Sequence, residues 1–406
     1  MTPTVADRDG TTGERLFVNL VDARQQRLRD ALEPAGFDAF LAASPANVDQ
    51  VTGYRSVAAD VFGGHQMAAL ISPDDVQLVC PVSDSAPAMD AGVPGEALSC
   101  FGRFYFESSS GKDIPTGLVD QHGSLPDAVA SAVKRLRLHG KRIGADVAGF
   151  GASWPAIEAA LGDDITMVDA SGWAGQVRAA KLPGEIERIG RAAAVTEAGI
   201  SRAIDAARVG MTENQLAAIV ASTMVEQGGK PKFVVVTSGE RSALSDATAT
   251  QRALQPGDLL RFDVGCVLDG YWSDVGRTAV IGEPDALQQR RYDAIYAGEQ
   301  AQLDQIRVDM PAREAFDLAV AVVQEHGLVP YRRQHCGHGI GGDVYEPPII
   351  SPAFDTPIAA GMTFCLETPF YELGWGGMMV EDTVVVTEDG VEMLTGSDRS
   401  LRVVEA

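Results

Sequence analysis

At 406 residues, with 45% apolar and 22% charged residues, the chain has room for two domains with full hydrophobic cores and the composition of an ordinary globular protein. Its formal charge of −23 at pH 7 argues against nucleic acid and anionic membrane surfaces as partners, and no apolar run approaches the roughly 20 residues that span a bilayer. Residues 1–16 lack a basic region followed by an apolar core, so they read as a disordered tail and not as a secretory signal. Five cysteines without a CxxC pair suit reduced, buried thiols in a cytoplasmic protein.

From Leu16 to Ala35 the apolar residues recur at helical spacing, and Gly36 stops the helix ahead of a short strand over 37–42. Further strands are expected over 67–71, 76–80 and 142–145, with a helix over 124–138. This alternation predicts a three-layer α/β domain over 17–175. Asn47 and the triplet Thr52-Gly53-Tyr54 carry a resemblance to the creatinase/aminopeptidase P type of N-terminal domain. The segment 101–115 is aromatic and then Ser/Gly-rich, which suggests an exposed loop or lid. His65 stands out in a chain with six histidines.

The second half, 176–406, opens with long helices, the second capped by Thr212. Then comes DLLRFDVGCVLDGYWSDVGRT, from Asp258, which reads as two strands around a turn at Leu268-Asp269-Gly270. Asp263 and Asp274 lie eleven residues apart across it. A turn centred on Leu268-Asp269 sets them directly opposite, and one centred on Asp269-Gly270 offsets them by a diagonal pair. Both registers keep them on one face. Taken alone, the pair fits equally well with one buried and one solvated aspartate.

Two more helices lead to GHGIGG, where flanking glycines let the backbone pack closely around His338 in a glycine-rich turn. In the last element, Glu367 and Glu381 lie fourteen residues apart about Gly374, so a hairpin again sets two carboxylates opposite each other. Four carboxylates and an imidazole form a hard donor set suited to two divalent ions such as Mn, Co, Fe or Zn. Cys266, Cys336 and Cys365 each neighbour one of these residues and are expected to pack beside them, not to ligate.

The series Asp263, Asp274, His338, Glu367, Glu381, set in FDVG, SDVGRT, GHGIG, LETP and VEDTVVVTEDG, resembles the full ligand set of the M24 metallopeptidases. The resemblance implies an α+β architecture, a C-terminal pita-bread domain behind the smaller creatinase-type domain, and a homodimer. It implies that Asp263 and Asp274 hold one ion, that His338 and Glu367 complete the second, and that Glu381 bridges both. Glu367 would then be general base toward a metal-bridged hydroxide, in a hydrolase of small amides such as Xaa-Pro dipeptides.

Three substrate-side positions depart from the peptidase pattern. Asp246 and Tyr345 stand where those enzymes carry histidines, and Met379 stands where they often carry an arginine that pairs with the substrate's carboxylate. An acidic acceptor in place of an imidazole donor reverses what that position can stabilise. His335 and His65 are the candidates to compensate. Two other readings follow from the resemblance. One is a metal-dependent lyase like the family's dimethylsulfoniopropionate lyases, which would call for an aspartate where Gly265 stands. The other is a non-enzymatic pita-bread binding protein, which the intact ligand set disfavours.

Overall fold

Short, mostly apolar runs alternate with helices through residues 39–169, and in the computed structural model these runs line up in one mixed sheet. The structure describes residues 10–62, 64–107 and 120–406. They fall into two units, Met1–Arg178 and Ala179–Ala406.

In the first unit the strand order is Asp120–His122, Leu98–Phe101, Val76–Pro81, Ala68–Ile71, Ala39–Ala42, Arg142–Ala145, Thr166–Asp169. Strand alternation gives this sheet two covered faces. Phe40 enters a cluster with Leu28, Leu32 and Val48, and Leu41 enters another with Val129, Val133 and Ile157. Helices on both faces make the three layers expected from the sequence. The hydroxyl of Ser124 accepts from the Asp127 amide and starts helix Leu125–Arg135.

Two expectations need amending here. Helix Gly10–Ala35 begins ahead of Leu16, so residues 10–16 are helical and not tail, and residues 1–9 lie outside the described residues. Of the suggested lid, Phe101 ends strand Leu98–Phe101 and residues 108–119 lie outside the described residues.

The second unit is built on a ten-stranded sheet. Its central path runs Leu259–Leu268, Val275–Ile281, Glu381–Thr387, Thr363–Glu367, Gly337–Gly339. Helices Pro183–Ala206 and Glu213–Glu226 share a core with Leu260, Phe262, Val264 and Cys266. Helices Ala286–Gln305 and Ala312–Glu325 share another with Phe364, Leu366, Val384 and Val386. Among the described residues no helix is long and apolar enough to cross a membrane. All five cysteines are buried and free.

Candidate metal centre

Period-two alternation sorts the side chains of the central strands between core and site. In Thr363–Glu367 and Glu381–Thr387 the even-numbered apolar residues Phe364, Leu366, Val384 and Val386 fill the core, so Cys365, Glu367, Glu381 and Thr383 share the opposite face. Leu259–Leu268 likewise sends its even residues into the other core and turns Arg261 and Asp263 away from it.

Strand pairing then aligns these residues. Asp263 stands opposite Gly276, Gly276 opposite Glu381, and Glu381 opposite Glu367. Three carboxylates thus share one rung across four strands, with a glycine as the gap. A Cβ on Gly276 would lie 2.4 Å from Met379 Cγ and Sδ and 3.0 Å from Glu381 Cβ. The gap is therefore filled by its neighbours' side chains.

Asp274 sits one step along. The turn places Asp269 at φ 49° and Gly270 at φ 84°, both positive as a type I′ hairpin requires. Tyr271 then pairs with Leu268, so Asp274 is diagonal to Asp263 and not opposite it. The expected continuous second strand is broken into Tyr271–Trp272 and Val275–Ile281. At the break Ser273 Oγ accepts from the Cys266 amide at 3.1 Å, and the Asp274 carbonyl accepts from Thr383 Oγ1 at 3.1 Å and Cys365 Sγ at 3.5 Å.

His338 is not in a turn. It lies in strand Gly337–Gly339, paired with Cys365 on one side and, through an irregular register, with Glu346–Ile349 on the other. The glycines are needed for closeness: a Cβ on Gly337 would come 2.5 Å from Cys365 O, and one on Gly339 2.5 Å from Glu346 O. His338 Nδ1 is 3.1 Å from Gly339 O and acts there as donor, which leaves Nε2 as the free lone pair. Nε2 is 3.6 Å from Asp274 Oδ2, too far for a hydrogen bond.

His338 Nε2, Asp274 Oδ1 and Glu381 Oε2 are all buried without a hydrogen-bond partner. Each such atom costs about 1–3 kcal/mol if it stays unpaired. Ligand atoms of Asp274, His338, Glu381 and Cys365 lie within 4.8 Å of one another. These residues fit a divalent cation. Cys365, expected only to pack nearby, belongs to the group through its Sγ, though burial and the neighbouring carboxylates push its thiol well up and keep it protonated.

The electrostatics agree. Burial and the Asp274 charge push Asp263 up to about 7, against the pull of Arg261, whose Nη1 is 3.0 Å from Asp263 Oδ2. Burial raises Asp274 despite His338, and burial with Asp274 and Glu367 raises Glu381 well above the usual carboxylate range. Burial also opposes charge on Glu367. There His335, with Nδ1 3.0 Å from Oε1, and then Arg333 outweigh it and hold the carboxyl below its ordinary value. Without a cation the cluster is short of positive charge, and Glu367 is the member kept ionised.

Above the rung lies a cavity of about 380 Å³. Asp246, His335, Tyr345 and Met379 all line it, so these four expected residues come together with the metal set. Tyr345 stacks on His338 with ring centroids 3.7 Å apart and planes at 17°. His65 belongs to the first unit, where Nε2 lies 2.7 Å from Asp84 Oδ2 and the other Asp84 oxygen accepts from Tyr54 at 2.7 Å. Gly265 leaves no space for an acidic side chain, since a Cβ would meet Ser273 O at 2.3 Å.

The sequence reading missed Arg261, Arg333, Tyr371 and Arg277. Arg261 was within reach, because it lies two residues before Asp263 and so on the same strand face. Arg277 is buried behind the rung, where it donates to Glu381 O at 2.6 Å and pairs with Asp382 at 2.6 Å, fixing the strand that carries Glu381. Arg333 lies two residues before His335 and Tyr371 four after Glu367, both outside the strands that carry the rung, so no alternation rule pointed to them.

Residues 187–388 match the family described as Metallopeptidase family M24, and residues 24–180 match the Creatinase/Prolidase N-terminal domain. A Xaa-Pro dipeptidase of Pyrococcus furiosus is 33% identical over 227 residues, which is 55% of this chain. The matched stretch spans 65% of that relative's length. Among solved structures, a Xaa-Pro dipeptidase from Bacillus anthracis superposes with a TM-score of 0.78 at 26% identity, covering 94% of this chain and 99% of the other. An X-Pro aminopeptidase from Thermotoga maritima gives 0.77 at 26% identity with the same coverage.

Proposed function

The chain belongs to metallopeptidase family M24, and from that membership we propose that it is a metal-dependent hydrolase of small Xaa-Pro-type dipeptides. The observation that carries the reading is the set of buried, unpartnered oxygen and nitrogen atoms on Asp274, His338 and Glu381 beside the rung of Asp263, Glu381 and Glu367. Asp263 and Asp274 would hold one divalent ion, His338 and Glu367 a second, with Glu381 shared. Such ions supply Lewis acidity, polarising a carbonyl and making water acidic near neutral pH.

The chain's own groups supply the rest. Glu367, held ionised by His335 and Arg333, takes the proton of the attacking water and passes it to the leaving nitrogen. Tyr345, half-exposed over His338, offers a phenolic donor toward the scissile group. Asp246 lines the cavity and suits the ammonium of the first residue, while Met379 gives an apolar wall. The lyase alternative is not favoured, because position 265 has no room for an acidic base.

The test is chelation followed by return of Mn, Co or Zn, with hydrolysis of an Xaa-Pro panel. Metal-dependent cleavage is expected, and Glu367→Gln should retain bound metal while turnover falls at least about 100-fold. A Glu367→Gln enzyme as active as wild type would remove the assigned base.

A further inference from the structure

Two guanidinium groups stand at the site, and they are used differently. Arg261 is fully buried and saturated: it bonds Asp263 and the carbonyls of Ser242, Leu244 and Ser245. Arg333 has nine-tenths of its side chain buried, yet its Nε is buried without a partner. Its nearest carboxylate oxygen, Glu367 Oε2, is 3.9 Å from Nη2 and beyond hydrogen-bond range. A largely buried cation with open donors is costly unless an anion comes to it.

Its position says which anion. Arg333 and Tyr371 line both the 380 Å³ cavity and an adjoining one of about 220 Å³ formed with Pro330, Tyr331, Pro369 and Phe370. The guanidinium lies over Tyr371, 5.5 Å from its centroid, which orients the fork. In a dipeptide the terminal carboxylate lies one residue's backbone, under about 4 Å, beyond the scissile carbon, so a cation in the wall of the same cavity as the base Glu367 is placed to meet it.

We propose that Arg333 receives the carboxylate of the leaving residue, so that the site selects dipeptides and other small amides ending in a carboxylate one residue beyond the scissile bond. The assignment rests on the hydrolase reading above. It places a carboxylate fork where residue 379, a methionine, supplies none, and gives the adjoining Pro/Tyr/Phe compartment to the leaving residue's ring.

The experiment compares alanyl-proline with alanyl-prolinamide on metal-loaded wild type, Arg333→Met and Arg333→Lys. In wild type the acid should show a KM about 100-fold below that of the amide. Arg333→Met should raise KM for the acid about 100-fold and leave KM for the amide unchanged, with Arg333→Lys in between, while any fall in kcat from a less ionised Glu367 is equal on both substrates. A fall in kcat on both substrates with the KM of the acid unchanged overturns the proposal and leaves Arg333 as a neighbour that only holds Glu367 ionised. Calorimetric titration with proline reads the same contact without turnover. Binding about 100-fold weaker in Arg333→Met upholds it, and unchanged binding overturns it. If no dipeptide is cleaved, the hydrolase reading fails, while the titration still decides the role of Arg333.

Discussion

Tyr345 lies flat against His338, 3.7 Å between centroids and 17° from parallel, so one face of the ligating imidazole is closed by a phenol. The backbone contact at Nδ1 and this stack together leave Nε2 a single direction. Replacing Tyr345 by Phe should keep metal affinity within a few-fold and lower kcat/KM, because only the hydroxyl is lost. Replacing it by Ala should in addition weaken metal binding about 10-fold, as expected when a group that orients a ligand is removed. Metal titration of both variants beside steady-state kinetics separates the two roles.

Gly276 and Met379 form a second linked pair. An alanine at 276 would place its Cβ 2.4 Å from Met379 Cγ and Sδ, on the site face. Gly276→Ala should cost about 1–3 kcal/mol in denaturant unfolding, the range for overpacking a tight interior. Adding Met379→Ala should recover part of that loss, since the atoms in the way are gone. A double-mutant cycle with no coupling would show that the backbone, and not Met379, limits the position.

Metal loading should release protons. Asp263 sits at about 7 and Glu381 well above the ordinary range, so the metal-free native state holds protons that the unfolded chain has already lost above about pH 4. Raising pH from there through 7 therefore destabilises the metal-free protein, since the native state binds more protons than the unfolded one. Calorimetry in buffers of different ionisation enthalpy should find about one to two protons released per chain at pH 6, and fewer at pH 8. The melting-temperature gap between loaded and chelated protein should widen over the same interval.

Much of this site could be read along the chain because β-structure converts sequence spacing into geometry. Glu367 and Glu381, fourteen apart about Gly374, do face each other. Asp263 and Asp274 left two registers open, since Leu268-Asp269-Gly270 can turn in either; the positive φ at Asp269 selects one, and no local propensity reveals it. The strand through His338 was hidden, because Gly337 and Gly339 have low β-propensity and are extended only by their partners on both sides. Arg333 was hidden more deeply. It lies in an irregular segment, and its place beside Glu367 is set by tertiary packing alone.

The rung and the cavity wall obey different constraints, and this has a consequence for how substrate preference can be changed. Asp263, Glu367 and Glu381 are each held between fully buried residues one position away, on interior strands of the sheet. Asp246, Arg333, Tyr345 and Met379 stand outside regular strands and helices. Substitutions at these four leave the hydrogen-bonded ladder intact. A library randomising only those positions should therefore redirect selectivity toward new small amides while each member keeps the fold and, where an aromatic ring is retained at 345, its affinity for metal.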